Sequence, residues 1–434
     1  MKKVLAIVLT LVMVFGLVAC GGGQQGGGDQ PAETKVLKIL MEDLNATDQV
    51  LACLDDFEAK TGIKVEAEVI NYATMHDKLV TQLTASESDY DVLVVDCYWV
   101  GEFAEAGWME PLDPYIEASG FDTSVYLPTM MEMVGELDGV TYELPFYNYM
   151  MALIYRPDVF ADEGLHKAYQ EKFGTDFTMP SEDLKEYVQI AEFTTEYFKS
   201  QGVEMYGAVH QAGRGDPIAI EFCNYMYSNG GDFYDANGNI TVNNPEVVEA
   251  LDLYTEAVEK ASPAGAAGFN LDDAYAVYSS GKAASFVTYN TFMPVLDDPS
   301  QSQVVGLSEI ANVPGGHALN GGWGWAIPHN AKDKDASWEF INYIESFEIA
   351  KRRAEGGSAP TRTDIFSDPD IMALYPYYDT VLEIMKDAIM LPIMPDSTPL
   401  MEIFGRELSE AVSGNKTSQE ALDQVATEMK DLKR

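Results

Sequence analysis

In the stretch "NGGWGWAIP", Trp323 and Trp325 are two of only five tryptophans in 434 residues. Gly321, Gly322 and Gly324 surround them and leave the indole faces uncrowded. Residues two apart in a strand point the same way, so both indoles can serve one face; a glycine kink would leave only Trp323 outward. Packing of both in the core is the alternative. In "VVDCYW" a carboxylate, Asp96, ends a short apolar run, and Trp99 follows three residues later. An ionised carboxylate accepts charge-assisted hydrogen bonds, and an aromatic face covers a flat apolar surface. Together they hold a small molecule rather than transform it.

Covalent chemistry has little to work with. The chain carries no G-x-S-x-G elbow, H-E-x-x-H pair, P-loop or G-x-G-x-x-G turn, and its five histidines are scattered singly. Asp235, Asn237 and Gly238 match three positions of a calcium loop. Phe233 and Asn244 occupy its first and twelfth positions, which favours a tight Asn-Gly turn instead. Among 70 acids no carboxylate pair is singled out for glycoside hydrolysis. The expectation is a binding protein with no metal and no cofactor.

The amino terminus is an address. Lys2 and Lys3 precede an apolar run from Val4 to Ala19, too short for a membrane span and flanked like a secretory signal. It ends in Leu17-Val18-Ala19-Cys20-Gly21, which looks like the lipobox of bacterial lipoproteins. The reading is a signal peptide over 1–19, a lipidated Cys20, and a flexible Gly-rich tether over 20–34. That places the protein on the extracytoplasmic face of the cell membrane. The net charge of −43 repels phosphate backbones and argues against nucleic acid. Cys53, Cys97 and Cys223 form neither a disulfide framework nor a zinc pattern, and read as small buried residues.

These residues must be positioned by an α/β scaffold. "KVLKILM" and "IKVEAEV" read as strands flanking a helix in "TDQVLACLDDFEAKTG", capped by Thr47 and ended by Gly62. "VLVV" between Asp91 and Asp96 reads as a buried parallel strand, whose carboxyl end is where such sheets bind ligands. Asn244-Pro245 opens a helix with Val247, Leu251, Tyr254 and Val258 on one face. "DASWEFINYIESFEIAKRR" reads as a further helix.

"YDVLVVDCYWVGEFAEAGWMEPLD", "GVTYELPFYNYMMALIYRPDVF", "NGGWGWAIP" and "GGSAPTRTDIFSDPD", in that order, resemble the family 1 extracellular solute-binding proteins. These are receptor lipoproteins of carbohydrate ABC importers, with a permease as partner. The resemblance runs from about Lys35 to the carboxyl terminus. It implies a two-lobed, type II periplasmic-binding-protein-like α/β fold, crossed three times between lobes and closing by hinge bending over a central cleft. The crossings are expected near Phe146–Tyr149, Tyr289–Thr291 and Ala331–Trp338. The N-terminal lobe would then comprise 36–147 plus 290–336, and the C-terminal lobe 148–289 plus 337–434. A monomer suffices to dock one permease.

The ligand implied is a carbohydrate, either oligosaccharide or polyol. Its C–H faces suit Trp323, and its hydroxyls suit Asp96. Trp325, Trp99, Tyr147, Asn148, Arg214, Asp216, Asn290, Arg362 and Asp43 complete the expected ligand set, most of them on the strength of the resemblance. Many relatives carry a second aspartate at the position of Cys97, so one polar contact is missing here. Two other ligand classes fit the same architecture: a polyamine, held by Asp96, Asp216 and Trp323, and ferric iron, for which Tyr375, Tyr377 and Tyr378 offer paired phenols. A secreted glycosidase is the rival outside it.

Overall fold

The computed structural model describes residues 35–434. The signal peptide, Cys20 and the tether lie outside the described residues.

Strand β1 (Val36–Glu42) pairs in parallel with β2 (Lys64–Ile70) on one side and β3 (Val92–Asp96) on the other. All five residues of β3 are buried, as its unbroken apolar run requires. The connection from β1 to β2 is two helices, α1 (Asn45–Leu51) and α2 (Leu54–Thr61), where one was expected. Asp55 and Asp56 fall in the first turn of α2, where acids favour a new N-terminus. Thr47, expected as the cap, sits inside α1 and donates instead to the Glu42 carbonyl at 2.6 Å. Gly62 ends α2 with φ 77°. Helix α3 (Tyr72–Leu83) then returns the chain to β3.

After α4 (Pro128–Val134) comes β4 (Leu144–Tyr155), a 12-residue strand that both lobes share. Its first half, Leu144–Met150, pairs with β7 (Asn320–Ala326), which pairs in turn with β3. Its second half pairs with β5 (Ser285–Tyr289) over Met151–Tyr155 and with β6 (Glu309–Ala311) over Leu153–Tyr155. Seven strands thus run in the order β2-β1-β3-β7-β4-β5, with β6 also on β4.

Helix α5 (Asp216–Ser228) meets the second half where Asn224 reaches the Met151 sulfur, and α6 (Pro245–Ala261) packs on α5 through Tyr254 and Tyr225, 5.0 Å apart. Asn244 and Pro245 open α6 as expected, and Val247, Leu251, Tyr254 and Val258 are all buried. The Asp235–Asn239 turn uses its own carboxylate: Asp235 accepts from the Asn237 and Asn239 amides, and Gly238 takes φ 77°. The expected long helix near the carboxyl end is two, α7 (Lys334–Ile344) and α8 (Phe347–Glu355), broken at Ser346, whose extended backbone (ψ 149°) starts the second. Helix α9 (Ser397–Val412) packs on α5 through Phe404 and Phe222, 5.7 Å apart.

Packing moves two of the expected passages between lobes. Met293, Leu296 and Val304 cluster with Ile154, Tyr278 and Phe286, so the chain past Tyr289 stays with the second half of β4 and β6 adds to it. It rejoins the first half only at β7. Phe340 of α7 packs on Phe57 at 5.3 Å, Ser337 donates to the Asp91 carbonyl, and Thr363 donates to the Val125 carbonyl. Residues 337–363 therefore belong with β1–β3 rather than with the C-terminal lobe. The reason is apolar: Trp325 of β7 needs Phe340 as its cover, at 5.7 Å.

Candidate functional site

One row of residues crosses three strands. Asp96 of β3 pairs with Trp323 of β7, which pairs with Tyr147 of β4. Asp96 lies at the carboxyl end of its parallel strand, the edge where α/β sheets hold ligands. It is buried, accepts from the Tyr149 hydroxyl at 2.8 Å, and is held near the Tyr98 amide at 3.5 Å. Burial pushes its carboxyl up to about 7, against the pull of the Tyr149 hydrogen bond. Glu42 ends the neighbouring strand in the same way; burial raises it to about 8, with the Asp96 charge adding to it. Asp216, from the other lobe, opens α5 and is also raised by burial, and then by the Glu402 charge.

Aromatic rings pack around these acids. Tyr72 stacks on Trp99 at 5.5 Å and 14°, and Trp323 meets both edge-on at 5.8 and 5.6 Å. Tyr149 meets Tyr289 edge-on at 5.6 Å. Tyr149 reaches Asp96 by lying over β7 at Gly321, where a Cβ would run into its ring. The glycines thus make room for the protein's own side chains. At Gly324 the space is filled by Glu143, whose two buried carboxylate oxygens have no hydrogen-bond partner among the described residues and whose pKa burial drives well above the ordinary value. The lobes touch beyond β3: Ser397 donates to the Tyr98 carbonyl, and a Cβ on Gly101 would come 2.5 Å from the Met394 oxygen.

The expected residues divide accordingly. Trp323, Asp96, Trp99 and Tyr147 come together, and Asp216 faces them across the lobes. Asp43 is exposed one residue past the end of β1, beside Glu42. Trp325 does not join them: it is fully buried, 4.5 Å from Phe146, and its Nε1 donates to Glu345 at 2.8 Å. Position along β7 parts the two indoles: Trp323 lies opposite Asp96 at the end of β3, and Trp325 lies opposite Val94 within it. Asn148 alternates to the face away from Tyr147 and binds Asn320 at 2.8 Å. Asn290 is spent on the Met150 amide. Arg214 is exposed and pairs with Glu410 at 3.5 Å. Arg362 braces the chain, with two bonds to Asp364 and one to the Glu345 carbonyl. Glu42, Tyr72, Tyr98 and Tyr149 escaped sequence reasoning. The strand-end position of Glu42 and the Tyr147/Tyr149 alternation were the signals available.

Residues 39–350 match the family of bacterial extracellular solute-binding proteins, and the chain belongs to it. It is therefore a receptor of the extracytoplasmic side rather than an enzyme. Among its relatives is the mannitol-binding protein of Pseudomonas aeruginosa, 24% identical over 407 residues, covering 86% of this chain and 88% of that one. The fold is that of a solute-binding protein of Agrobacterium radiobacter in complex with ribitol (TM-score 0.80, 24% identity, 92% of this chain and 99% of that one). It also matches a maltose-bound protein of T. maritima (TM-score 0.79, 24% identity, 91% and 99%).

Proposed function

We propose that the protein captures a small polyhydroxylated solute, a sugar or polyol, between its lobes and delivers it to an ABC permease as a monomer tethered by a lipid on Cys20. The row Asp96–Trp323–Tyr147 carries this reading. It sets a carboxylate acceptor and a phenol beside an indole, the pairing that a molecule with flat C–H faces and a hydroxyl rim needs. Binding proteins for mannitol and ribitol among the relatives support the class. A closed cleft leaves each ligand hydroxyl either paired or costing ~1–3 kcal/mol, which suits a wall so rich in phenols and carboxylates.

One observation favours a second reading, an amine-bearing solute. Glu42, Asp96 and Asp216 gather from both lobes, and none is ion-paired to a lysine or arginine among the described residues. A protonated amine among aromatic rings would neutralise them. A thermal-shift screen against sugars, polyols, amino sugars and polyamines separates the two. Ligand at 100 times its dissociation constant adds ~2.7 kcal/mol to the folded state. Stabilisation by neutral polyols or sugars supports the first reading; stabilisation by amines alone replaces it with the second.

A further inference from the structure

Beside Phe146, which packs on Trp325, a small cavity is lined by Phe146, Ala350, Arg353, Ser358, Thr361 and Arg362, among others. Arg353 and Arg362 line it, and their carboxylate partners, Glu345 and Asp364, do not. Arg353 is 3% exposed. Its Nη2 donates to Glu345 at 2.5 Å, and its Cζ lies 5.3 Å from the centre of the Phe146 ring. Its Nε and Nη1 have no hydrogen-bond partner among the described residues. Arg362, by contrast, is fully engaged with Asp364 and the Glu345 carbonyl. Glu345 is also committed, to Trp325, Arg353 and Tyr126.

A buried cation with orphaned N–H groups is a costly arrangement unless something accepts from them. The cavity is small, and its free space suits a single small occupant. Glu345 and Asp364 already pair with the two guanidinium groups, but an anion only accepts, as both unpartnered Arg353 N–H groups require, whereas a water also brings two O–H donors to be satisfied.

We propose that this cavity is a binding site for a single halide-sized anion, chloride in the protein's extracytoplasmic setting. Arg353 Nε and Nη1 donate to it, with the Ser358 hydroxyl in reach from the same wall. The anion completes the Glu345–Arg353 cluster that carries Trp325. It is separate from the solute cleft and stands whether or not the cleft binds a sugar.

The test uses the protein without cleft ligand. Crystals are soaked in sodium bromide, and melting temperatures are compared in sodium chloride and sodium gluconate at equal ionic strength. The expected result is one anomalous bromide peak within hydrogen-bonding distance of Arg353 Nε and Nη1. Chloride should add a saturable rise on the order of 2–4 °C over gluconate. Ala350→Leu, which fills the cavity, should remove the chloride increment while circular dichroism shows the fold retained. No bromide peak at Arg353, with equal melting in both salts and a water in the cavity, would overturn the proposal. If Ala350→Leu fails to fold, the bromide map decides alone.

Discussion

At the scale of the residue, two tryptophans two positions apart do different work. Trp323 edges onto Tyr72 and Trp99 beside Asp96, whereas Trp325 is sealed under Phe146 and Phe340. Trp325→Phe removes the indole donor from buried Glu345 and should cost about 1.5–3 kcal/mol in denaturant unfolding, with solute affinity unchanged. Loss of affinity with no loss of stability would reverse the assignment. Asp96 gives a pH signature. Its pKa is raised from 3.8 to about 7, so the folded state holds a proton the unfolded chain releases between those values. That makes stability fall as pH rises from about 4 to 7, by ~1.4 kcal/mol for each pH unit crossed, with the penalty complete above 7. Asp96→Asn carries no such penalty. Its stability relative to the parent should climb across that window and level off above it; parallel pH profiles would show that Asp96 ionises freely.

At the scale of the element, the strip after β3 meets the segment before α9 so closely that Gly101 has no room for a side chain against Met394. Gly101→Val should hold the lobes apart. X-ray scattering of the variant would then give a larger radius of gyration than the parent under a saturating solute; identical curves would show that the contact does not limit closure. This strip also shows what the sequence made legible. The apolar run of β3 with its terminal Asp96 was readable because burial on both faces erases alternation, and Asn244-Pro245 marked α6 because its chemistry is local. The breaks at Cys53 and Ser346 and the return of residues 337–363 to the first lobe were not readable. They are set by what Phe57 and Trp325 need as cover from far along the chain. Trp323 was separable from Trp325 only through what each meets along β7, Asp96 or Glu345, and Tyr149 only through its reach over Gly321 to Asp96.

At the scale of the molecule, one long strand belongs to both lobes, and the lobes meet again at Ser397 and Tyr98. A solute shifts the population toward a closed form only by the difference in its affinity for the open and closed states. That difference must come from groups on both sides: Asp96, Trp323 and Tyr147 on one, Asp216 on the other. Isothermal titration of the protein and of Trp323→Ala with mannitol, ribitol and maltose tests this most directly. Saturable heat is expected for at least one of the three, with affinity lowered about 100-fold or more in Trp323→Ala, ~2.7 kcal/mol, while circular dichroism shows that the variant keeps its fold. Equal affinity in parent and variant, or heat from none of the three where a polyamine gives it, would contradict it.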